Sequence, residues 1–205
     1  MWYASIPSQT VVWVVNRQDP VLNTPTVTKL SANGRIIIVD GQNATEWSSP
    51  MHTINVTGAS AAWLHDNDNF IVSSYWSFSP ESVAWQNFDY PTATLLPGMK
   101  LGVDIKKDIT RNITSWRSRS DLSLGTYTFK LILSRLLEFF LFQGPTIIYA
   151  SGPYNGAVLT GVPDLRSQDF TFIVVSSRDE TYYSYSIRDP SLLSRFVVDA
   201  TVGLV

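Results

Sequence analysis

The stretch AWLHDNDNFIVSS, from Ala62 to Ser74, places His, Asp and Asn side chains directly before an apolar run. His65, Asp66 and Asp68 are ligand types that bind divalent cations. Polar side chains at alternate positions of a strand share one face, where they can instead form a pocket for the hydroxyls of a sugar. Acidic turns are usually solvated, so we favour a third interpretation, a polar turn followed by a core strand at residues 70–72.

Catalytic chemistry has little support elsewhere in the sequence. The chain has no cysteine and only two histidines, His52 and His65, which excludes thiolate catalysis and cysteine-ligated zinc. It contains no G-x-S-x-G elbow, P-loop, G-x-G-x-x-G loop or H-R-D element. The acidic residues show no spacing typical of a glycosidase pair. We therefore predict a protein that is not an enzyme and that has no cofactor and no metal.

Composition narrows the class of protein further. The 205 residues are enough for one large β domain or two smaller ones, and 16% charged residues with 7 Trp indicate a folded chain. A net charge of −2 gives no reason to expect a nucleic-acid partner. The longest apolar stretch, Leu131 to Phe142, is too short to span a bilayer and contains Arg135 and Glu138. No secretory signal pattern is present at the start of the sequence.

The hydrophobic pattern predicts an all-β fold. Short runs rich in β-branched and aromatic residues alternate with turn sequences, which is typical of a sandwich, barrel or prism. The predicted strands are residues 10–15, 34–39, 69–74, 126–133, 171–175 and 181–187. The segment SRLLEFF is the one candidate for a helical turn, but its neighbours favour two strands with a turn near Ser134 and Arg135.

A weak internal repeat accompanies this pattern. LSANGRIIIVDG, from Leu30, resembles LHDNDNFIVSS, from Leu64. Each copy has a Leu, a polar turn and an apolar strand, and each is followed by a Trp segment, TEWSSP or VAWQNFDYP. We therefore predict pseudo-symmetric strand–turn–strand units that share one core.

Several longer segments carry a family resemblance. QTVVWVVNRQDPV, LSANGRIIIV, WQNFDYPTATLLPGMKLG, ITSWRSRSDLSLGTYTFKL, SGPYNGAVLTGVP and YYSYSIRDPSLLSRFVVD follow one another along the chain. In order and spacing they resemble the ectodomain of plant S-domain receptor-like kinases, in which a bulb-type, mannose-binding lectin domain runs into an S-locus glycoprotein domain. SGPYNG is the softer match, because the family usually has Trp where this chain has Tyr154.

This resemblance implies a bulb-lectin β-prism over residues 1–102 and S-locus-type strands over residues 103–205. The chain begins inside the lectin domain and ends inside the S-locus domain, so we expect a truncated product that lacks the Cys-rich modules, membrane span and kinase of the family. The resemblance implies a glycosylated, extracellular or cell-surface recognition module, in pollen recognition or defence signalling, with mannose-type glycans, receptor ectodomains or peptides as partners. A decoy that acts through protein contacts and a non-functional gene fragment are the alternatives.

The family's sugar motif reads Q-x-D-x-N-x-V-x-Y along a strand. In the first copy its positions fall on Ser31, Asn33, Arg35, Ile37 and Val39, so all four polar residues of the motif are replaced and we predict that this site is lost.

In the second copy the motif positions fall on His65, Asn67, Asn69, Ile71 and Ser73. Asn69 is retained, Ile71 is an apolar substitute for Val, and Asn67 replaces the carboxylate. The first four of these residues form the candidate carbohydrate site, which we expect to be degenerate, with weak or absent mannose binding.

Three N-x-[ST] sequons, at Asn43, Asn55 and Asn112, indicate N-glycosylation if the chain is secreted. Four tryptophans could also stack on sugars, although packing is the favoured role: Trp47, Trp76, Trp85 and Trp116.

Overall fold

A computed structural model describes residues 1–3, 6, 10–21, 25–50, 60–74, 82–133, 136–162, 169–189, 191–201 and 203–204. These residues form seventeen β-strands and contain no α-helix, which confirms the predicted all-β class. The strands β11 (Leu124–Leu133) and β12 (Leu137–Gln143) pair antiparallel, so residues 137–140 of the SRLLEFF segment are strand. The turn predicted at Ser134 and Arg135 falls outside the described residues.

Residues 18–88 form one compact unit built from two antiparallel sheets. The first sheet joins β1 (Val27–Leu30), β2 (Ile36–Val39) and β3 (Thr45–Ser48) in that order. The second sheet joins β4 (Ser60–Leu64), β5 (Phe70–Ser74) and β6 (Val83–Gln86) in the same way. Each sheet is therefore a three-stranded meander, and the apolar middle strand is paired on both sides.

Residues 1–17 and 89–205 form the second compact unit. One sheet has the order β10–β11–β12–β13, with β10 at Ile113–Trp116 and β13 at Thr146–Ala150. The other strands form a four-stranded sheet, β14–β15–β8–β9, and a three-stranded sheet, β17–β16–β7. Their bounds are β7 Thr94–Leu95, β8 Leu101–Asp104, β9 Ile109–Arg111, β14 Phe170–Ser176, β15 Glu180–Ile187, β16 Phe196–Asp199 and β17 Gly203–Leu204. A domain boundary at residue 102 stays a prediction.

The hairpin turns before β2 and β5 have the same geometry, which confirms the internal repeat. In the first turn the Ser31 amide donates to the Arg35 carbonyl at 2.8 Å, and in the second the His65 amide donates to the Asn69 carbonyl at 2.9 Å. Both turns contain one residue in the left-handed region, Gly34 at φ 75° and Asp68 at φ 66°. Glycine and aspartate are among the residues that tolerate this conformation, so the turn chemistry sets the hairpin.

A buried ion pair supports the second unit next to the short 3₁₀ turn Asn87–Asp89. Both Nε and Nη2 of Arg111 donate to Oδ1 of Asp89, at 2.8 and 2.6 Å, and Nη2 lies 3.7 Å from Oδ2 of Asp104. Arg111 is 3% exposed. A single guanidinium on β9 therefore connects β8 to the segment that leads into the second unit.

The N-terminal segment of the same unit is held by Arg17. Its guanidinium donates to the carbonyl oxygens of Leu122, Thr114 and Ser115 at 3.1, 3.1 and 2.7 Å and lies 4.3 Å from the ring centroid of Trp116. Burial lowers the pKa of Arg17 to about 10, so the side chain remains a cation at neutral pH. These contacts stabilise the irregular pairing between β10 and β11.

Candidate functional site

The second candidate sugar strand begins at an exposed turn. His65 and Asn67 are both exposed, and Oδ1 of Asn67 accepts a 3.2 Å hydrogen bond from the Asn69 amide. The Asp68 amide donates to the His65 carbonyl at 2.9 Å, which closes the turn. The side chain of Asn67 therefore makes a local turn contact, in the position where the family motif has a carboxylate for the sugar.

Asn69, the motif residue that this copy retains, is bound within the sheet. Its Nδ2 donates to Oε1 of Gln86 on the neighbouring strand β6 at 2.9 Å. Its Oδ1 is buried and has no hydrogen-bond partner among the described residues. Ile71 is only 6% exposed, and Ser73 is fully buried with its hydroxyl 2.9 Å from the Ser82 carbonyl. The structure thus places the turn residues in solvent and the strand residues in the interior.

Asn87 is a residue of this copy that the sequence analysis missed. It is fully buried, its Oδ1 accepts a 2.7 Å hydrogen bond from the Phe70 amide, and its Nδ2 lies 3.3 Å from the Asp68 carbonyl. Asn87 therefore fixes both the start of β5 and the end of the turn. Its partners are backbone groups, so its role is to hold the hairpin.

The first copy uses its polar residues in a similar way. The Ser31 hydroxyl bonds to Oδ1 of Asn33 and accepts a 3.0 Å hydrogen bond from the Arg35 amide. Nε of Arg35 is buried without a hydrogen-bond partner among the described residues. Ile37 is half-buried and Val39 is 3% exposed. The side chains at the motif positions therefore serve the turn and the packing of β2.

A shared pair of hydrogen bonds reveals a third copy of this unit. The Ile36 amide donates to Oγ of Ser49 at 3.1 Å, and the Ser49 amide donates to the Ile36 carbonyl at 2.8 Å. Phe139 and Ser151 make the same two bonds, at 3.0 and 2.9 Å. Asn87 replaces the serine in the second copy. In each copy the oxygen of a buried polar side chain accepts a hydrogen bond from the backbone amide near the start of the middle strand.

The register of the middle strand supports the same alignment. The pairing of β2 with β3 shifts between Ile38 and Val39, two residues after Ile36. The pairing of β12 with β13 shifts between Leu141 and Phe142, two residues after Phe139. In the second copy the shift lies between residues 72 and 73. The motif positions of the third copy consequently fall on Glu138, Phe140 and Phe142, which are all half-buried.

The sequence signal for the three copies is an aromatic residue two positions before the buried polar residue. The pairs are Trp47 and Ser49, Trp85 and Asn87, and Tyr149 and Ser151. Each aromatic residue pairs with the strand position just before the shift, as Ile38 does with Trp47. This signal combines spacing with burial, and burial is not visible in the sequence.

Three of the four tryptophans considered above as sugar contacts lie in described segments, and each of them contacts another side chain. The rings of Trp47 and Trp85, which occupy equivalent positions in the first two copies, meet edge to face with centroids 6.5 Å apart. Trp85 also contacts Phe70 at 6.0 Å. Trp116 lies beneath the Arg17 guanidinium. Trp76 falls outside the described residues.

The sequons differ in accessibility. Asn43 lies in the turn before β3, is exposed with φ 65°, and has Oδ1 2.6 Å from Nζ of Lys29. Asn112 lies between β9 and β10, is half-buried, and has a buried Oδ1. Asn55 falls outside the described residues. Geometry therefore favours Asn43 over Asn112 as an attachment point.

Within the described segments, no cluster of three His, Asp or Glu side chains is arranged to hold a metal ion. None of the helices found there has the length and apolar character needed to cross a membrane.

Comparison with known proteins identifies a family for the part of the chain that holds the first two copies. The family model described as D-mannose binding lectin matches residues 10–117, just over half of the chain. The chain is 35% identical over 202 residues to the receptor-like serine/threonine-protein kinase SD1-8 of Arabidopsis thaliana, covering 98% of this chain and 24% of that protein. It is 34% identical over 202 residues to the S-locus-specific glycoprotein BS29-2 of Brassica oleracea var. alboglabra, covering 98% and 46%.

A third relative is the G-type lectin S-receptor-like serine/threonine-protein kinase SRK of Arabidopsis thaliana, 36% identical over 208 residues that cover 99% of this chain and 24% of the kinase. The chain thus spans less than half the length of each of these relatives. The similarity to the kinases is to their ectodomain, and no enzymatic domain is shown in this chain. The chain belongs to the D-mannose binding lectin family.

Proposed function

We propose that this chain is an extracellular recognition module in which the strands that carry sugar sites in the family have become scaffold, so that mannose binding is weak or absent. One observation carries the proposal. The amide of Asn69, the retained motif residue, is bound to Gln86 at 2.9 Å, and its Oδ1 is buried. A sugar hydroxyl would have to displace the Gln86 contact and open the strand to reach this side chain.

The free energies involved support the same proposal. A dissociation constant of about 1 mM corresponds to only ~4 kcal/mol of binding free energy. Each net hydrogen bond contributes about 1 kcal/mol, and charge-assisted bonds are roughly twice as strong. Asn67 stands in place of the carboxylate and buried Ser73 in place of the Tyr hydroxyl, so the second copy lacks interactions worth most of that binding energy.

The residue at the apolar position of the family motif, Ile71, is also buried. Ile71 is 6% exposed, which leaves too little surface for a sugar ring to pack on. The third copy offers Glu138, Phe140 and Phe142 at the corresponding positions, a different chemistry from the Asn, Val and Tyr of the motif. Recognition by this module therefore proceeds through other surfaces, with receptor ectodomains or peptide ligands as the proposed partners.

The similarity to S-locus-specific glycoproteins and S-receptor-like kinases supports an extracellular setting and a role in cell-surface recognition, with pollen recognition and defence as the proposed processes. A truncated receptor acting as a decoy would use the same surfaces.

The proposal is tested by calorimetric titration of the folded chain with mannose and with a high-mannose glycan. A cooperative thermal melt of the same sample shows that the protein is folded. We expect no saturable heat from either sugar, and Asn69→Ala should behave like the unmodified chain. Saturable binding that is lost in Asn69→Ala would overturn the proposal, because the retained Asn would then be serving a sugar.

A further inference from the structure

The second compact unit contains a half-open cavity of about 280 Å³ that none of the contacts described above uses. One wall is formed by Phe129 and Phe139 on β11 and β12. Aromatic residues of β14 and β15, which belong to another sheet, also line it, among them Phe172 and Tyr183. Seven of the thirteen described lining residues are aromatic. The cavity thus lies between two sheets and is bounded mainly by rings.

The walls of this cavity are fixed by contacts among the rings themselves. Phe139 and Tyr183 meet edge to face with centroids 6.0 Å apart, and Phe172 stacks on Tyr183 at 5.9 Å. Phe129 stacks on Phe139 at 5.6 Å. The strands that carry Phe139 and Tyr183 are both paired on two sides. The rings therefore cannot close the space by changing rotamer without losing their neighbours, and the space persists.

An apolar space of this size favours an occupant. Apolar side chains that face solvent in a half-open cavity are stabilised when an apolar molecule covers them, in proportion to the apolar area removed from water. An apolar cavity of about 150 Å³ stays dry and binds benzene. The cavity of this chain has roughly twice that volume, which suits a molecule of two fused rings.

The polar groups along the lining limit the chemistry of the occupant. Arg195 is the one charged side chain among the described lining residues, and it is exposed, so a charge held deep in the cavity would have no counter-ion. The Tyr185 hydroxyl already donates to the Leu95 carbonyl at 3.2 Å. Ser194 is half-buried, and its side chain hydrogen-bonds to Tyr185. An uncharged ring system with at most one polar group matches this set.

We propose that the cavity between β11–β12 and β14–β15 is a binding site for a small, uncharged aromatic molecule. The site is separate from the sugar motif positions, because Phe129, Phe172 and Tyr183 belong to no copy of the motif and Phe139 lies beside it. Binding stabilises the folded chain, since a ligand that binds only the native state raises the free energy of unfolding. With this site a recognition module would bind a small molecule independently of sugars.

The test uses indole, a soluble and uncharged molecule of two fused rings, with the full chain. We expect the melting temperature to rise with indole concentration and to saturate. Val162→Phe places a ring at a lining residue and should weaken indole binding by at least about tenfold, a factor worth 1.4 kcal/mol. Ile173→Phe is the matched control, because Ile173 is exposed on β14 and does not line the cavity. It should leave indole binding unchanged.

Nuclear Overhauser contacts between indole protons and the rings of Phe139 and Tyr183 locate the bound molecule. If Val162→Phe does not melt cooperatively, Ser194→Phe takes its place as the filling variant. The proposal is overturned if indole gives no saturable rise, if both filling variants bind it as the unmodified chain does, or if no contacts to these two rings are seen. None of these outcomes depends on the result of the sugar titration.

Discussion

Nδ2 of Asn69 lies 2.9 Å from Oε1 of Gln86, so the residue that best preserves the family's sugar motif bonds across the strand pair β5–β6. The neighbouring position on that face, Ile71, is buried, and Ser73 bonds to Ser82. The strand has the hairpin and the Asn of the family motif, but the side chains of Asn69 and Ser73 bond to residues of this chain and Ile71 is buried. Retention of this Asn therefore does not by itself make its side chain available to a sugar.

The buried polar residue of each repeat should matter more for stability than the motif residues do. Asn87→Ala leaves the amide of half-buried Phe70 without its acceptor, and Ser151→Ala does the same to the amide of buried Phe139. A buried unsatisfied group costs about 1–3 kcal/mol. We expect urea unfolding to show losses in this range.

Two exposed positions serve as controls for these variants. Asn67→Ala and Ser176→Ala remove side chains at exposed sites, and each should cost less than about 1 kcal/mol. Equal losses in Asn87→Ala and Asn67→Ala would show that Asn87 has no special role in the hairpin.

The Arg111–Asp89 pair should be essential for folding of the second unit. Arg111→Met leaves the carboxylate of Asp89 buried without its partner, which costs about 3–5 kcal/mol for a buried pair. Arg117→Met removes the cation from the exposed pair Arg117–Asp121, where solvent screening should make the loss much smaller. Denaturant unfolding of the two variants measures both losses. A buried-pair variant as stable as the surface-pair variant would contradict the account.

Tyr183 should make the protein sensitive to alkali. Burial raises the pKa of its hydroxyl above the ordinary value of 10.0, with a further contribution from the neighbouring Tyr185. Above about pH 10 the unfolded chain loses this proton while the folded chain keeps it, so the free energy of unfolding falls as pH rises. We expect unfolding experiments between about pH 9 and pH 11 to show this fall, with a shallower slope in Tyr183→Phe. An unchanged slope in that variant would show that the hydroxyl is not protected.

If the chain is secreted, glycan should attach at Asn43 in preference to Asn112. Asn43 is exposed in a turn, whereas Asn112 is half-buried beside β10, where an attached glycan would have to displace packed neighbours. Intact-mass analysis of secreted protein should show a loss of glycan in Asn43→Gln. Asn112→Gln should carry the same mass of glycan as the unsubstituted chain. Full glycosylation in Asn43→Gln together with loss in Asn112→Gln would reverse this assignment.

The strands with strong apolar character could be predicted from the sequence. The runs at residues 126–133 and 181–187 lie within β11 and β15, with ends that differ by at most two residues. The run at residues 10–15 has the same character, yet it forms only one isolated bridge, between Trp2 and Val11. Its bonds go to chain ends and loops instead, as when Nε1 of Trp13 donates to the Tyr90 carbonyl at 2.8 Å. Composition alone does not reveal whether a partner strand exists.

The repeat could be predicted in two copies and not in three. The first two copies share a Leu, a polar turn and a Trp, which the sequence shows directly. In the third copy Tyr149 stands for the Trp, so the shared feature is the buried Ser151, whose Oγ accepts a hydrogen bond from the Phe139 amide. The inward orientation of Asn69 also lay beyond the sequence, because the motif spacing is the same whether the side chain meets Gln86 or a sugar.

The most direct test of the central claim follows the Asn69 side chain itself by ¹⁵N NMR while mannose is added to about 10 mM, tenfold above the ~1 mM dissociation constant that ~4 kcal/mol would give. The account predicts that the side-chain amide resonances of Asn69 and Gln86 and the backbone amide of Phe70 stay unchanged throughout. Saturable shifts confined to these resonances would contradict it, because they would show that the second copy still opens to accept a sugar.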